Sequence, residues 1–230
     1  MKEGPTKESL RMTPEERLAK QLPILKKLYP KAETALVHDT PWELLVATIL
    51  SAQCTDKVTN KVTKELFQRF KTPQDFAKLT PEQLQPHIKS ITFFRNKSKN
   101  IIACARMIVE KFGGEVPTRM EELLQLPGVA RKTANIVLAS GFGKAEGIAV
   151  DTHVKRVAFR LGLTKNTSPE KIEQDLMRIV PKNEWRAFSY RIIDHGRAIC
   201  QAKKARCDIC PLNKVCPSAF RVSGWNSYKG

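Results

Sequence analysis

The chain has 230 residues, of which 41% are hydrophobic, and this is enough to bury the core of one large or two small domains. Lys and Arg number 40 against 23 Asp and Glu, so the net charge is +17 and the pI about 9.8. Such a charge indicates a polyanionic partner. No apolar run reaches the length of a membrane span, and the N-terminus lacks the apolar core of a signal peptide. We therefore expect a cytoplasmic protein that is neither secreted nor embedded in a membrane.

In chain order, the predicted elements are helices that follow a basic tail of residues 1–17. A capping hydroxyl precedes a proline at five predicted helix starts, namely Thr13-Pro14, Thr40-Pro41, Thr72-Pro73, Thr80-Pro81 and Ser168-Pro169. Capping-box spacing pairs Thr40 with Glu43, Thr80 with Gln83 and Thr118 with Glu121. Apolar residues between these signals recur at spacings of three and four, and no strand-like alternation is sustained. The pattern predicts an all-α fold of about ten helices.

The segment ITFFRNKSKN, residues 91–100, combines two aromatic residues with a run of cations. Adjacent phenylalanines are core residues by default. Arg95, Lys97 and Lys99 are predicted phosphate contacts.

The segment LPGVARKTAN, residues 126–135, predicts a turn at Pro127-Gly128 followed by a helix. Backbone N–H groups of Val129, Ala130 and Arg131 would then point outward together and could hold a phosphate oxygen without reading a base. The alternative is an ordinary connection between two helices. Two cations directly behind the turn, in a chain of this charge, make phosphate binding an equal possibility.

Lys132 lies in the first turn of that predicted helix, where the helix dipole disfavours positive charge. The dipole, the neighbouring Arg131 and partial burial would all favour the neutral amine. A neutral lysine amine is a nucleophile that forms Schiff bases with carbonyl carbons. The alternative is a lysine that binds phosphate or is merely solvated.

Asp151 follows the apolar residues Ile148, Ala149 and Val150 and precedes a helical pattern, so it is a predicted N-cap. A carboxylate among cations also stays ionised and can stabilise a developing positive charge. The two roles are compatible. His153 is expected to pack or to support its neighbours.

The six cysteines fall into two classes. Cys54 and Cys104 stand alone in apolar segments and are predicted to be small buried residues. The other four have the spacing C-x6-C-x2-C-x5-C, at Cys200, Cys207, Cys210 and Cys216. This spacing suits either a [4Fe–4S] cluster or tetrahedral zinc and favours the cluster, whereas disulfides are disfavoured in an unsecreted protein.

LPGVARKTAN followed by VDTHVKRV resembles the helix-hairpin-helix and catalytic loop of the endonuclease III family of DNA glycosylases, and the resemblance extends from PWELLVATILSAQCTD to the last cysteines. It implies that Lys132 attacks the sugar C1′ of a damaged nucleotide and that Asp151 supports loss of the base. It implies a [4Fe–4S] cluster on the four cysteines. It also implies base contacts from Gln53, a phosphate-binding loop, and Phe93 in place of the family's wedge leucine. The cations of that loop are Lys203, Lys204 and Arg206.

The resemblance further implies two helical lobes with a DNA-binding cleft. One lobe spans residues 34–145 and includes the hairpin at about 118–140, and the other combines 1–33 with 146–230 and carries the cysteines at 200–216. We expect a monomeric, bifunctional glycosylase and AP lyase that acts on damaged, in particular oxidised, pyrimidines in double-stranded DNA. The alternatives are a non-catalytic DNA-binding module and an iron–sulfur electron carrier. Ala130 stands where the family commonly has glycine, so its backbone must accept a β-carbon.

Overall fold

The computed structural model describes residues 4–221, and within them the regular structure is helical. Twelve α-helices follow in chain order: α1 Lys7–Arg11, α2 Pro14–Leu28, α3 Pro41–Ser51, α4 Asp56–Arg69, α5 Pro73–Ala77, α6 Pro81–Ile88, α7 Phe94–Lys111, α8 Met120–Leu123, α9 Arg131–Ile136, α10 Thr152–Arg160, α11 Pro169–Ile179 and α12 Trp185–Ala198. A π-helical turn, Val137–Gly141, continues α9, and a 3-10 turn, Lys182–Glu184, precedes α12. The β-structure of the described residues is a single bridge between Cys200 and Ala205. The all-α prediction is confirmed.

The helix starts follow the local sequence, because capping is a short-range interaction. All five predicted hydroxyl-proline starts are confirmed, and in each the Thr or Ser side chain accepts a hydrogen bond from a backbone N–H in the first turn. The capping box predicted for Thr80 and Gln83 is also present. The capping box predicted for Thr40 and Glu43 is only half formed, because the Glu43 side chain accepts from the Asp39 N–H, 2.6 Å away, and not from that of Thr40.

Two predictions near helix ends are wrong. The helix α8 begins at Met120 with Arg119 at the N-cap, one residue beyond the predicted Thr118 cap. The N-terminal segment is helical from Lys7, and Ser9 and Arg17 are buried, so it is not a tail up to residue 17. After Cys216, residues 217–221 are turns.

The helices form two compact units, each with its own apolar core. Thr34–Glu146 form one unit, whose core includes Leu45, Phe76 and Ile101. The described residues before and after this segment form the other, which is centred on α10 and α12 with Val157 and Phe188 in its core. Leu18 and Leu25 bring α2 into that second core. No helix of the described residues is both long and apolar enough to span a membrane.

Candidate DNA-binding and catalytic site

The predicted turn at Gly128 connects α8 to α9 in a conformation that requires glycine. Its φ is +80°, in the left-handed region that side chains disfavour. A β-carbon built at this position would lie 2.9 Å from the Cβ of Asn100, a residue of α7. Gly128 therefore both turns the chain and lets the hairpin approach α7 closely.

The backbone amides after the turn differ in part from the prediction. The Val129 N–H donates to the Leu126 carbonyl at 3.1 Å, so it stabilises the turn and does not point outward. The first bond into α9 runs from the Ala134 N–H to the Ala130 carbonyl, and no side chain of the described residues caps this helix. Ala130 has φ −92° and ψ 168°, an extended conformation that accepts a β-carbon without strain.

Lys132 lies in the first turn of α9, two residues after the N-cap Ala130, and it is exposed. The partial burial predicted for it is wrong, because Ala134 and Asn135 supply the buried face of this short helix. Arg131 is exposed beside it. An exposed amine at the start of a helix can reach a ligand that docks on the hairpin.

Asp151 is the N-cap of α10, as predicted. Its Oδ1 accepts a hydrogen bond from the Val154 N–H at 2.7 Å, which fixes the carboxylate at the start of the helix. A carboxylate has a second oxygen, which the cap does not require. His153 is half-buried, and its Nδ1 lies 3.2 Å from the Arg156 guanidinium, so it packs as expected.

Gln53 and Phe93 occupy two turns with unusual backbone geometry. Gln53 follows the end of α3 with φ 55°, and Phe93 is the N-cap of α7 with φ 59°. Both side chains are exposed, and Phe93 is 63% accessible although it is large and apolar. The default prediction of a core residue is therefore wrong for Phe93, whereas Phe94 does pack against the core.

The cations of α7 separate into two groups. Arg95 and Lys99 are exposed, as a phosphate contact requires, and the Arg95 guanidinium lies 5.1 Å from the centre of the Phe94 ring. Lys97 is only 6% accessible, and its ammonium donates to the Leu50 and Ala52 carbonyls. The predicted phosphate contact at Lys97 is wrong, because this side chain lies on the buried face of α7.

Cys200, Cys207, Cys210 and Cys216 all line one small pocket. None is disulfide-bonded, and Cys104 is buried and Cys54 half-buried, in accordance with the prediction of small apolar roles. Burial raises the pKa of Cys210 to about 11 and that of Cys216 to about 12. Burial therefore disfavours thiolates at these positions unless a cationic group compensates them.

Cationic and polar groups surround the same sulfur atoms. Arg160 Nη1 lies 3.6 Å from the Cys200 sulfur, and His195 Nε2 lies 3.7 Å from the Cys210 sulfur. Within the described residues, no three His, Cys, Asp or Glu side chains converge as a single metal ion requires. Four thiols that line one pocket are a ligand set that suits a metal group held by thiolates.

Two buried arginines of α10, which the sequence analysis missed, support the loop of basic residues. Arg160 donates to the Gln201 and Ala202 carbonyls at 2.8 and 3.0 Å, and Arg156 donates to the Cys200 carbonyl. Lys203, Lys204 and Arg206 are exposed on the loop that these bonds fix. The signal was present in the sequence, since residues four apart on an apolar helix share its buried face.

Comparison with known proteins assigns this arrangement to a class. The family model described as "HhH-GPD superfamily base excision DNA repair protein" matches residues 46–182, which include the hairpin and Asp151. A thymine-DNA glycosylase structure with 22% sequence identity shares the fold at a TM-score of 0.81. The matched family model therefore places the chain among base excision DNA repair proteins.

The similarity to particular relatives is higher. Endonuclease III of Synechocystis sp. is 57% identical over 204 residues, covering 89% of this chain and 93% of the relative. Endonuclease III of Bacillus subtilis is 50% identical, covering 82% and 86%. A structure described as a trapped endonuclease III–DNA covalent intermediate has a TM-score of 0.87 and 44% identity, covering 91% of this chain and 99% of the other. The chain therefore belongs to the endonuclease III family of bifunctional DNA glycosylases and AP lyases, as the sequence predicted, and this family generally binds a [4Fe–4S] cluster.

Proposed function

We propose that this protein excises damaged, in particular oxidised, pyrimidines from double-stranded DNA and then cleaves the strand at the abasic site. The observation that carries the proposal is Lys132, an exposed amine in the first helical turn after the Gly128 turn. The similarity to an endonuclease III trapped covalently on DNA supports it. A non-catalytic binding module would not need this amine as a nucleophile.

The chemistry assigned to Lys132 proceeds through a Schiff base. The neutral amine attacks the sugar C1′, the bond from C1′ to the base breaks, and the base leaves with a proton. The sugar ring then opens to give an imine between C1′ and the lysine nitrogen. Loss of a proton from C2′ expels the 3′ phosphate by β-elimination, and water finally hydrolyses the imine to release the lysine amine.

Asp151 supports the step in which the base leaves. Positive charge develops on the sugar as the bond to the base lengthens, and a fixed carboxylate stabilises such charge. The capping bond from the Val154 N–H fixes this carboxylate before the substrate arrives. A preorganised group needs no rearrangement in the transition state.

The DNA-binding role falls to the hairpin, to two exposed turns and to the basic loop. Gly128, Ala130 and Arg131 contact phosphates through the hairpin, and Arg95 and the basic loop add cations. A damaged base inside a duplex must be swung out, which costs a few kcal/mol of stacking and pairing. Gln53 hydrogen-bonds the orphaned partner base, and Phe93 stacks in the gap.

The four cysteines hold a [4Fe–4S] cluster in this proposal. When bound, the cluster supplies a rigid cross-link between α12 and the C-terminal loop, and no redox step is required for base removal. Its position beside Lys203, Lys204 and Arg206 is the reason to expect that the cluster keeps the basic loop in place. We also propose a monomer that works in the cytoplasm, where it associates with DNA.

Borohydride trapping tests the catalytic assignment. Wild-type protein mixed with an abasic duplex and borohydride should become covalently linked to the DNA, because the reductant fixes the imine. Lys132→Gln should lose the adduct, whereas Lys111→Gln, at the exposed far end of α7, should keep it. Failure of the wild type to form an adduct would favour the non-catalytic binding module. A panel of duplexes, each with one damaged base, then identifies the preferred lesion.

A further inference from the structure

Lys97 is a buried cation in the first turns of α7, and the proposed chemistry does not use it. Its side chain is 6% accessible, and its Nζ donates to the Leu50 carbonyl at 2.8 Å and to the Ala52 carbonyl at 2.5 Å. Both acceptors belong to the end of α3, where the last carbonyls of a helix lack partners and the helix dipole attracts positive charge. Lys97 thus closes the C-terminus of α3.

The residue after Ala52 is Gln53, and the backbone of Lys97 is bonded to Phe93. The Lys97 N–H donates to the Phe93 carbonyl at 3.1 Å. Lys97 therefore contacts both turns. Its side chain holds Ala52, directly before Gln53, and its backbone N–H holds the carbonyl of Phe93.

Gln53 and Phe93 are two of the three non-glycine residues with positive φ in the described part of the chain. Such backbone strain persists only where the surroundings fix the conformation. Strained residues also cluster at ligand contacts and active sites. Both residues have exposed side chains, so burial of their own side chains does not hold these turns.

The environment of Lys97 suits a fixed contact better than a mobile one. Burial lowers the pKa of Lys97, and the nearby Cys54 thiol acts in the opposite direction. Because two carbonyl oxygens accept its protons, removal of the ammonium would take this donor from the buried Leu50 carbonyl and the part-buried Ala52 carbonyl. The turn that bears Gln53 would then lose its link to α7.

We infer that Lys97 is a positioning residue that holds Gln53 and Phe93 in the conformations needed to fill the gap left by the extruded nucleotide. This inference rests on the proposed function, in which Gln53 contacts the orphaned base and Phe93 stacks beside it. Lys97 acts through the two turns and does not touch the DNA.

The test compares Lys97→Met, which keeps the apolar stem, and Lys97→Gln, which keeps a shorter donor, with the matched control Lys111→Met on the same helix. Each protein is assayed for single-turnover excision of thymine glycol from a duplex. Each is also assayed for borohydride trapping on a single-stranded oligonucleotide with an abasic site, where no partner base is orphaned. Circular dichroism at the assay temperature reports folding.

We expect Lys97→Met to slow duplex excision about 10- to 100-fold, because small misplacements of positioning groups have effects of this size. Single-strand trapping should stay within about twofold of the wild type, since only the duplex assay needs the two turns in place. The excision rate of Lys97→Gln on the duplex should lie between those of the wild type and Lys97→Met, because glutamine keeps a shorter donor. Adding Gln53→Ala to Lys97→Met should slow excision much less than Gln53→Ala does alone, since residues that act as one unit are not additive.

Three outcomes would overturn the inference. The first is unchanged duplex excision in Lys97→Met, and the second is an equal loss on both substrates. The third is unfolding of both Lys97 variants, which would assign the residue to fold stability alone. Failure of the proposed function is separate, because it would appear as wild-type protein that neither excises thymine glycol from the duplex nor traps on the single strand.

Discussion

Substitution of Gly128 by alanine perturbs the hairpin in a way that the structure allows to be quantified. Two effects add. Alanine must adopt φ +80°, which costs about 1–2 kcal/mol relative to a right-handed conformation. Its β-carbon must also fit 2.9 Å from the Cβ of Asn100, a separation that ordinary packing does not show.

The second effect can be isolated with a matched control. Gly113 has φ +62°, and a β-carbon there would meet no heavy atom within 4 Å. Gly113→Ala therefore carries the backbone cost without overpacking. Both variants share the restriction of the unfolded chain that any Gly→Ala change brings, so this effect cancels in the comparison. The overpacking at Gly128 should make Gly128→Ala less stable than Gly113→Ala by about 1–3 kcal/mol.

Urea unfolding of the wild type and both variants measures this difference, and binding to an abasic duplex measures its effect on the hairpin. Gly128→Ala should weaken binding, whereas Gly113→Ala should not. Asn100→Ala should restore only part of the lost stability, since it removes the contacts of Nδ2 and Cγ at 3.2 and 3.3 Å but keeps the Cβ. Equal stability of the two glycine variants would refute the reasoning from close packing.

Three further results are expected. Asp151→Asn should keep the helix cap, and so change the free energy of unfolding by less than about 0.5 kcal/mol, yet slow base release far more than it weakens binding; equal losses in a binding and single-turnover assay would leave only a capping role. Lys203→Ala should reduce the slope of log affinity against log salt by about 1, and an unaltered slope would remove this residue from the phosphate contacts. The pKa of Glu184 is lowered chiefly by Lys26 and also by Arg191, so its stabilisation is present above its unfolded pKa and lost as pH falls through the folded one. Glu184→Gln should therefore destabilise at pH 7, by about 1.5–3 kcal/mol, with the gap closing below pH ~4; a gap that persists there in urea titrations would contradict this account.

The helix starts and the hairpin could be predicted from sequence because their causes are local. A threonine before a proline, or a glycine that turns the chain, acts within a few residues, and such signals located α3, α6 and the turn at Gly128. Family resemblance supplied the chemistry of Lys132 and Asp151, which composition and spacing left open. Their roles in catalysis remain predictions that the trapping and base-release assays address.

The errors arose where the partner of a side chain lies far away in sequence. Lys97 was grouped with Arg95 and Lys99 by charge, yet it lies four residues before Ile101 on the same stripe of α7 and is buried with it. The carbonyls that accept its protons belong to α3, more than 40 residues earlier. Arg156 and Arg160 were missed for the same reason, because their acceptors lie in the cysteine loop.

The helix α10 fixes both the distance and the relative orientation of the functional residues at its two ends. Asp151 starts it, and Arg160, its last residue, grips the loop of cations nine positions later, about 13 Å along the axis. One residue inserted near the start of α10 would rotate the rest of the helix by about 100°. The guanidinium groups of Arg156 and Arg160 would then point away from that loop. Changes in the length of α10 should therefore be far less tolerated than changes in the sequence of its exposed face.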